Sequence, residues 1–275
     1  MTEKIGPIGV FDSGYGGLTV YKEIESLLPQ YDYLYLGDNA RVPYGIRSYE
    51  TVYQYTLECV QHLFSMGCSL VILACNTASA KALRTIQKHD LPQIPGLHRV
   101  LGVIRPTTEL LGELTQTNKV GIMATQGTVN SRSYVIEAEK FFPQVEVFQQ
   151  ACPMWVPLVE HNEHRGPGAD FFVEKYIDEL LSQSPDIDTI VLACTHYPLL
   201  IGKIRKYTPE HIHIISQGKI VAQSLADYLV RHPEIDALCS KGGKREFYTT
   251  ESTEDFDTKA RIITGQEIHS KHLPL

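Results

Sequence analysis

Several things are missing from this chain, and each absence closes a route. No stretch approaches the ~18–20 consecutive apolar residues that a membrane-spanning helix needs, and the opening MTEKIGPIGVFDSG has no apolar core ending in small residues of the kind a secretory leader carries. A soluble cytoplasmic protein is the expectation. The formal net charge is −7, so the basic footprint of a nucleic-acid binder is absent. Gly14, Gly16 and Gly17 form G-x-G-G, not the dinucleotide fingerprint G-x-G-x-x-G. No lysine sits in a setting that would hold pyridoxal phosphate. His161 and His164, and His211 and His213, are closely spaced, but no cysteine pair accompanies either, so no metal site is expected.

The six cysteines, Cys59, Cys68, Cys75, Cys152, Cys194 and Cys239, include no C-x-x-C pair. A disulfide framework belongs to small secreted domains. This chain has 275 residues, 43% of them hydrophobic, enough for one large domain or two ordinary ones. Its cysteines therefore read as reduced thiols.

What is present is an alternation of short apolar runs and amphipathic segments. Residues 8–11, 33–36, 69–74, 100–104, 120–124, 145–148, 190–193, 212–215 and 245–250 read as strands. Residues 18–28, 78–88, 220–230 and 254–263 read as helices, and Ser48 is placed to cap a long helix reaching Gly67. Pro43 and Gly45 make 38–47 a loop. Alternation of this kind implies an α/β fold with mostly parallel sheets and helices on both faces.

An internal repeat runs through the pattern. IGVFDSG at 8–14 resembles VGIMATQG at 120–127, and VILACNTA at 71–78 resembles IVLACTHY at 190–197. Gly9 matches Gly121, Ser13 matches Thr125 and Cys75 matches Cys194, in the same order and at similar separations. Two similar α/β halves related by pseudo-symmetry are expected, with an active site in the cleft between them.

Ligands of open parallel sheets bind beyond the carboxyl ends of the strands. Cys75 and Cys194 fall at such ends and near the start of the next helix, where the helix dipole favours a thiolate. A free thiol titrates near ~8.5, so it can both take and give a proton close to neutral pH. One thiolate would remove an α-proton from one face of a substrate while the opposite thiol delivers a proton to the other. Asn76-Thr77 and Thr195-His196 follow the two cysteines, a polarity core packing does not need. Cys59, Cys68, Cys152 and Cys239 lack such neighbours and read as core.

With these residues in place, the chain resembles the glutamate racemases of the aspartate/glutamate racemase superfamily. The likeness covers about residues 5–230 and rests on GVFDSGYGGLTV at 9–20, LGDNARVPYG at 36–45, ACNTASA at 74–80, GIMATQGTV at 121–129, CPMWVPLVE at 152–160 and ACTHYPLL at 193–200. The cysteine motifs are less like those of aspartate racemases. SQGKIVAQS at 216–224 lacks an expected acidic residue before its glycine, and IRPTTELL at 104–111 fits loosely.

The resemblance implies a cofactor-independent enzyme that interconverts L- and D-glutamate and supplies D-glutamate for peptidoglycan, the material of cell-wall biogenesis and cell shape. Its partner is a small molecule, and a homodimer is left open. One domain would comprise residues 1–97 and 212–275, the other 98–211. Cys75 and Cys194 carry over as the acid/base pair, Asp12 as the assistant of Cys75, and Glu160 and His196 as assistants of Cys194. Asp12, Ser13, Tyr44, Gly45, Asn76, Thr77, Thr125, Thr195 and His196 match substrate-binding positions. The chemistry is compatible: hydroxyl and amide donors suit two carboxylates, and Asp12 suits an ammonium. Plainer roles remain for some: Asp12 as a turn cap, His196 as a hydrogen-bonded core residue, Glu160 as a solvated carboxylate and Tyr44 as packing. An aspartate or hydantoin racemase, a non-catalytic binder of acidic amino acids and a thiol redox sensor are the alternatives.

Overall fold

Ten strands are arranged in two sheets of the computed structural model, which describes residues 5–275; residues 1–4, the start of the segment read for a leader, lie outside the described residues. The strands are β1 (Ile8–Asp12), β2 (Tyr33–Gly37), β3 (Leu70–Leu73), β4 (Arg99–Gly102), β5 (Lys119–Ala124), β6 (Glu146–Ala151), β7 (Thr189–Ala193), β8 (His213–Ser216), β9 (Arg245–Thr249) and β10 (Lys271–His272). The first sheet has the order β10-β9-β2-β1-β3-β4 and the second β6-β5-β7-β8. Every pairing is parallel. β1, β2, β3 and β7 are buried at every position, as expected of strands covered on both faces, which read as unbroken apolar runs.

The chain divides into two compact units. One holds the chain up to Val103 together with Gly218–Leu275, and the other is Ile104–Gln217. These limits fall later in the chain than the expected 97/98 and 211/212 breaks. The Pro/Gly-rich stretch at 92–96 looks like a linker, but β4 beyond it still pairs with β3 (Val71↔Val100). β8 likewise pairs with β7 (Ile190↔Ile214), so residues 212–217 stay with the second unit.

The repeat in the sequence is a repeat in strand register. Gly9 pairs with Val71 across β1 and β3, and Gly121 with Ile190 across β5 and β7. Those are the residues that the sequence alignment matches. The flanking strands follow, with Gly9↔Leu34 beside Gly121↔Phe148. Both glycines face close side chains: a Cβ at Gly9 would sit 3.1 Å from Val71 Cγ2, and one at Gly121 2.6 Å from Leu180 Cδ2. The first sheet is wider because β9 and β10 add to its β2 edge.

Some local expectations change. The helix after β3 begins at Asn76 rather than Ala78, because Cys75 itself is its N-cap. β4 stops at Gly102, and Ile104 opens the helix Ile104–Thr108. The helix Trp155–Glu160 is hidden in sequence by Pro157, which lies in its first turn, where a missing N–H costs no hydrogen bond. Ser48 caps Tyr49–Ser65 as expected, accepting from the Thr51 N–H at 3.1 Å. Among the described residues no helix is long and apolar enough to cross a membrane.

Candidate active site

In a sheet ordered 2-1-3-4, the chain leaves the first strand in one direction and returns on its other side. The gap beyond the carboxyl ends of strands 1 and 3 is therefore the topological switch point, where open α/β sheets bind ligands. β1 and β3 meet there in the first unit, β5 and β7 in the second. The residues just past these four ends are Ser13, Cys75, Thr125 and Cys194.

In the first unit the Ala74 N–H donates to the Phe11 carbonyl at 2.8 Å, holding the two strand ends side by side. The Cys75 thiol lies 3.5 Å from Ser13 Oγ. Its sulfur accepts from the Ala78 N–H at 3.5 Å, a thiol in the place usually held by a serine or aspartate cap. Asn76 and Thr77 are buried in the first turn of the helix that follows. Asp12 is fully buried, and its Oδ2 accepts from the Gly14 N–H at 3.0 Å. That is the turn-capping bond anticipated for it.

Tyr44 and Gly45 are buried in a 3-10 turn, Tyr44–Ile46. The Tyr44 phenol donates to Asp38 Oδ2, so its side chain is committed to a structural network. Asp38 is buried too. It accepts from Arg41 Nε at 2.6 Å and Thr250 Oγ1 at 2.9 Å, and Arg41 also reaches Glu58. Burial, reinforced by the nearby Cys59 and Asp38, pushes the Tyr44 phenol well above its ordinary range. Sequence reading missed Asp38. The signal was an Asp three residues before an Arg inside LGDNARVPYG, overlooked because the segment reads as a loop.

The second unit is built differently around its thiol. No helix starts directly after Cys194. Pro198 opens a 3-10 turn, Tyr197–Leu200, and the helix proper is Ile201–Tyr207. The expected helix-dipole contact is thus confined to Cys75. Beside Cys194 stands His196, with Nδ1 3.9 Å from the sulfur. Its Nε2 is 2.6 Å from Glu160 Oε1. Glu160 is not a solvated carboxylate, since its side chain is only 14% exposed. Burial alone would lower the His196 pKa, but the hydrogen bonds to Cys194 and Glu160, and their charges, overcome it and raise the pKa well above 6.5. Thr125 caps the helix Gln126–Ser131, accepting from the Thr128 N–H at 3.3 Å, and Thr195 is buried beside Cys194. Below them Trp155 and Tyr197 meet edge to face at 4.7 Å.

The remaining four thiols are less exposed than these two. Burial pushes Cys59 and Cys152 well above the usual 9.0, and Cys68 and Cys239 up to about 12. Such thiols are poor acid–base groups. Cys75 and Cys194 keep the largest exposures of the six, 6% and 7%. The two loosely fitting segments prove to be joined: Gln217 Nε2 donates to Thr107 Oγ1 at 2.8 Å and to Tyr134 Oη at 2.7 Å. Sequence spacing gave no hint of that pairing. Among the described residues, no group of three or more His, Cys, Asp or Glu side chains is placed to hold a metal ion.

Comparison with known proteins gives the same direction. A family model described as Asp/Glu/hydantoin racemase matches residues 8–225. The chain is 39% identical over 269 residues to a glutamate racemase of Persephonella marina, covering 98% of this chain and 97% of that one. Its fold is similar to a glutamate racemase isoform of Bacillus anthracis, with a TM-score of 0.88, 33% identity and 98% of both chains covered. It is also similar to a Francisella tularensis glutamate racemase solved in complex with D-glutamate, with a TM-score of 0.83, 29% identity, and 99% and 98% of the two chains covered.

Proposed function

The chain belongs to the Asp/Glu/hydantoin racemase family, and from that premise we propose that it interconverts L- and D-glutamate by passing protons through Cys75 and Cys194, without a cofactor. The observation that carries the reading is the matched register, Gly9↔Val71 and Gly121↔Ile190, which gives both thiols the same position at the switch points of two like-built sheets.

In the forward direction one cysteine, as thiolate, takes the α-proton. The pair of electrons left on the α-carbon spreads into the α-carboxylate. The other cysteine, as thiol, gives its proton to the opposite face and becomes the thiolate that starts the reverse reaction. An α-proton is far less acidic than a thiol, so charge building on the carboxylate must be met by preorganised donors. Ser13, Asn76, Thr77, Thr125 and Thr195 supply neutral hydroxyl and amide groups suited to the two carboxylates. Asp12 suits the ammonium. His196, whose pKa is raised by its contacts with Cys194 and Glu160, gives the Cys194 side a positive partner for charge on sulfur. Tyr44 and Gly45 contribute through their backbone, since the phenol is held by Asp38. The product D-glutamate would serve peptidoglycan synthesis in the cytoplasm.

A substrate panel with chiral separation tests the assignment. L-Glutamate is expected to reach an equal mixture of hands at the same rate with and without EDTA, and L-aspartate to keep its configuration. Turnover of aspartate but not glutamate would overturn the substrate, and inhibition by EDTA the cofactor-free chemistry.

A further inference from the structure

The backbone of Gly14 is held at both its N–H and its carbonyl. Its N–H donates to Asp12 Oδ2 at 3.0 Å, and its carbonyl accepts from the Tyr35 phenol at 2.9 Å. Two glycines allow that closeness. A Cβ at Gly37 would lie 2.6 Å from the Gly14 oxygen, and one at Gly17 would strike Asp12 and lie 2.9 Å from Tyr35 Oη. The phenol has little freedom of its own. Tyr35 is fully buried on β2 among Tyr21, Phe247 and Phe256, with ring centroids 5.9, 6.2 and 5.9 Å away.

Gly14 is the last residue of the Asp12-Ser13-Gly14 turn. A shift of the Gly14 backbone, freed at its carbonyl, would carry its N–H with it and so disturb the Asp12 carboxylate and Ser13, whose hydroxyl lies 3.5 Å from the Cys75 sulfur. We infer that Tyr35 is a positioning residue of the Cys75 half-site, acting through the Gly14 carbonyl to aim Asp12 and Ser13. The inference rests on the reading of Cys75 as one of the two proton-transfer groups. The second unit has no equivalent. Strand register makes Gln149 the counterpart of Tyr35, Val10↔Tyr35 matching Ile122↔Gln149. The Gln149 side-chain oxygen is buried and takes no hydrogen bond among the described residues. Loss of the clamp should therefore be felt at one thiol only.

The test is Tyr35→Phe, which keeps the ring and removes the donor, with Gly37→Ala as a second variant that presses on the same carbonyl from the other side. Two readouts are needed. The first is the steady-state rate with L-glutamate: kcat is expected to fall about tenfold, as misaimed catalytic groups do, with KM changed less than about twofold. The second is iodoacetamide alkylation resolved by peptide mass, giving the ratio of Cys75 to Cys194 rates. At least about a threefold change in that ratio is expected, with the Cys194 rate unaltered. A purely structural role for the phenol would lower the melting temperature and leave the ratio unchanged, and an unchanged ratio in both variants overturns the inference. The alkylation ratio reads positioning even if glutamate proves not to be the substrate, so failure of the functional reading is told apart from failure of this one.

Discussion

Cys194→Ala and Cys75→Ala are each expected to stop inversion of glutamate, lowering kcat by about 10³–10⁴-fold, the upper part of the range in which positioned general acids and bases work. The expected loss is this large because, in the proposed mechanism, each thiol acts in every turnover, once as base or once as acid. Ser13 and Thr125 are alcohols, too weakly acidic to take over. The structural cost is small, since free cysteine behaves in a fold as a small hydrophobe. The variants are thus expected to keep the wild-type circular dichroism spectrum. Cys239→Ala supplies the control. That thiol donates to the Ile235 carbonyl and is pushed up to about 12, away from either strand end, and its loss should leave activity within about twofold. Wild-type racemisation by either Cys75→Ala or Cys194→Ala would remove the two-thiol mechanism.

Breaking the His196–Glu160 pair is expected to have the next largest effect. His196→Asn is expected to lower kcat by about 10²–10³-fold and Glu160→Gln by roughly tenfold or more. Removing the imidazole takes a charged partner from a mostly buried carboxylate, so a loss of stability is expected alongside the loss of rate. The pH dependence has a definite sign. The folded-state pKa of His196 is raised above its unfolded value near 6.5. Its stabilising contribution is therefore complete below about pH 6.5 and is lost as pH rises through the raised folded value. Thermal unfolding of wild type and Glu160→Gln from about pH 6.5 into the alkaline range checks this: the melting-temperature gap should be widest near pH 6.5 and narrow as pH rises through the raised folded value. No gap at about pH 6.5 would mean that the pair is not charged in the folded state.

These consequences trace to a fold that is readable in part. The buried strands could be read because parallel strands covered on both faces are unbroken apolar runs, and Gly9 and Gly121 could be matched because each faces a close neighbour. Position along the chain carried the two thiols for the same reason. The helix Trp155–Glu160, which delivers Glu160 to His196, was obscured by Pro157, a residue that breaks helices anywhere except the first turn. Asp38 and Gln217 were not recognised because their importance is tertiary. Asp38 gathers Arg41, Tyr44 and Thr250 from across the chain. Gln217 joins segments whose patterns look weakest. The grouping of His196 and Glu160 beside Cys194 was legible in outline. The helix cap on Cys75 and its absence on Cys194 were not, because Pro198 delays the helix in a way that resembles a start signal.

Racemisation of L-glutamate in deuterated water, followed by mass analysis of each hand at low conversion, tests the proton route most directly. With two opposed thiols, D-glutamate carries one solvent deuterium at its α-carbon from the first turnover, while the remaining L-glutamate keeps its hydrogen. D-Glutamate that retains the original hydrogen, or L-glutamate that exchanges faster than it inverts, would mean that a single base returns the proton, and would contradict the opposed pair of cysteines.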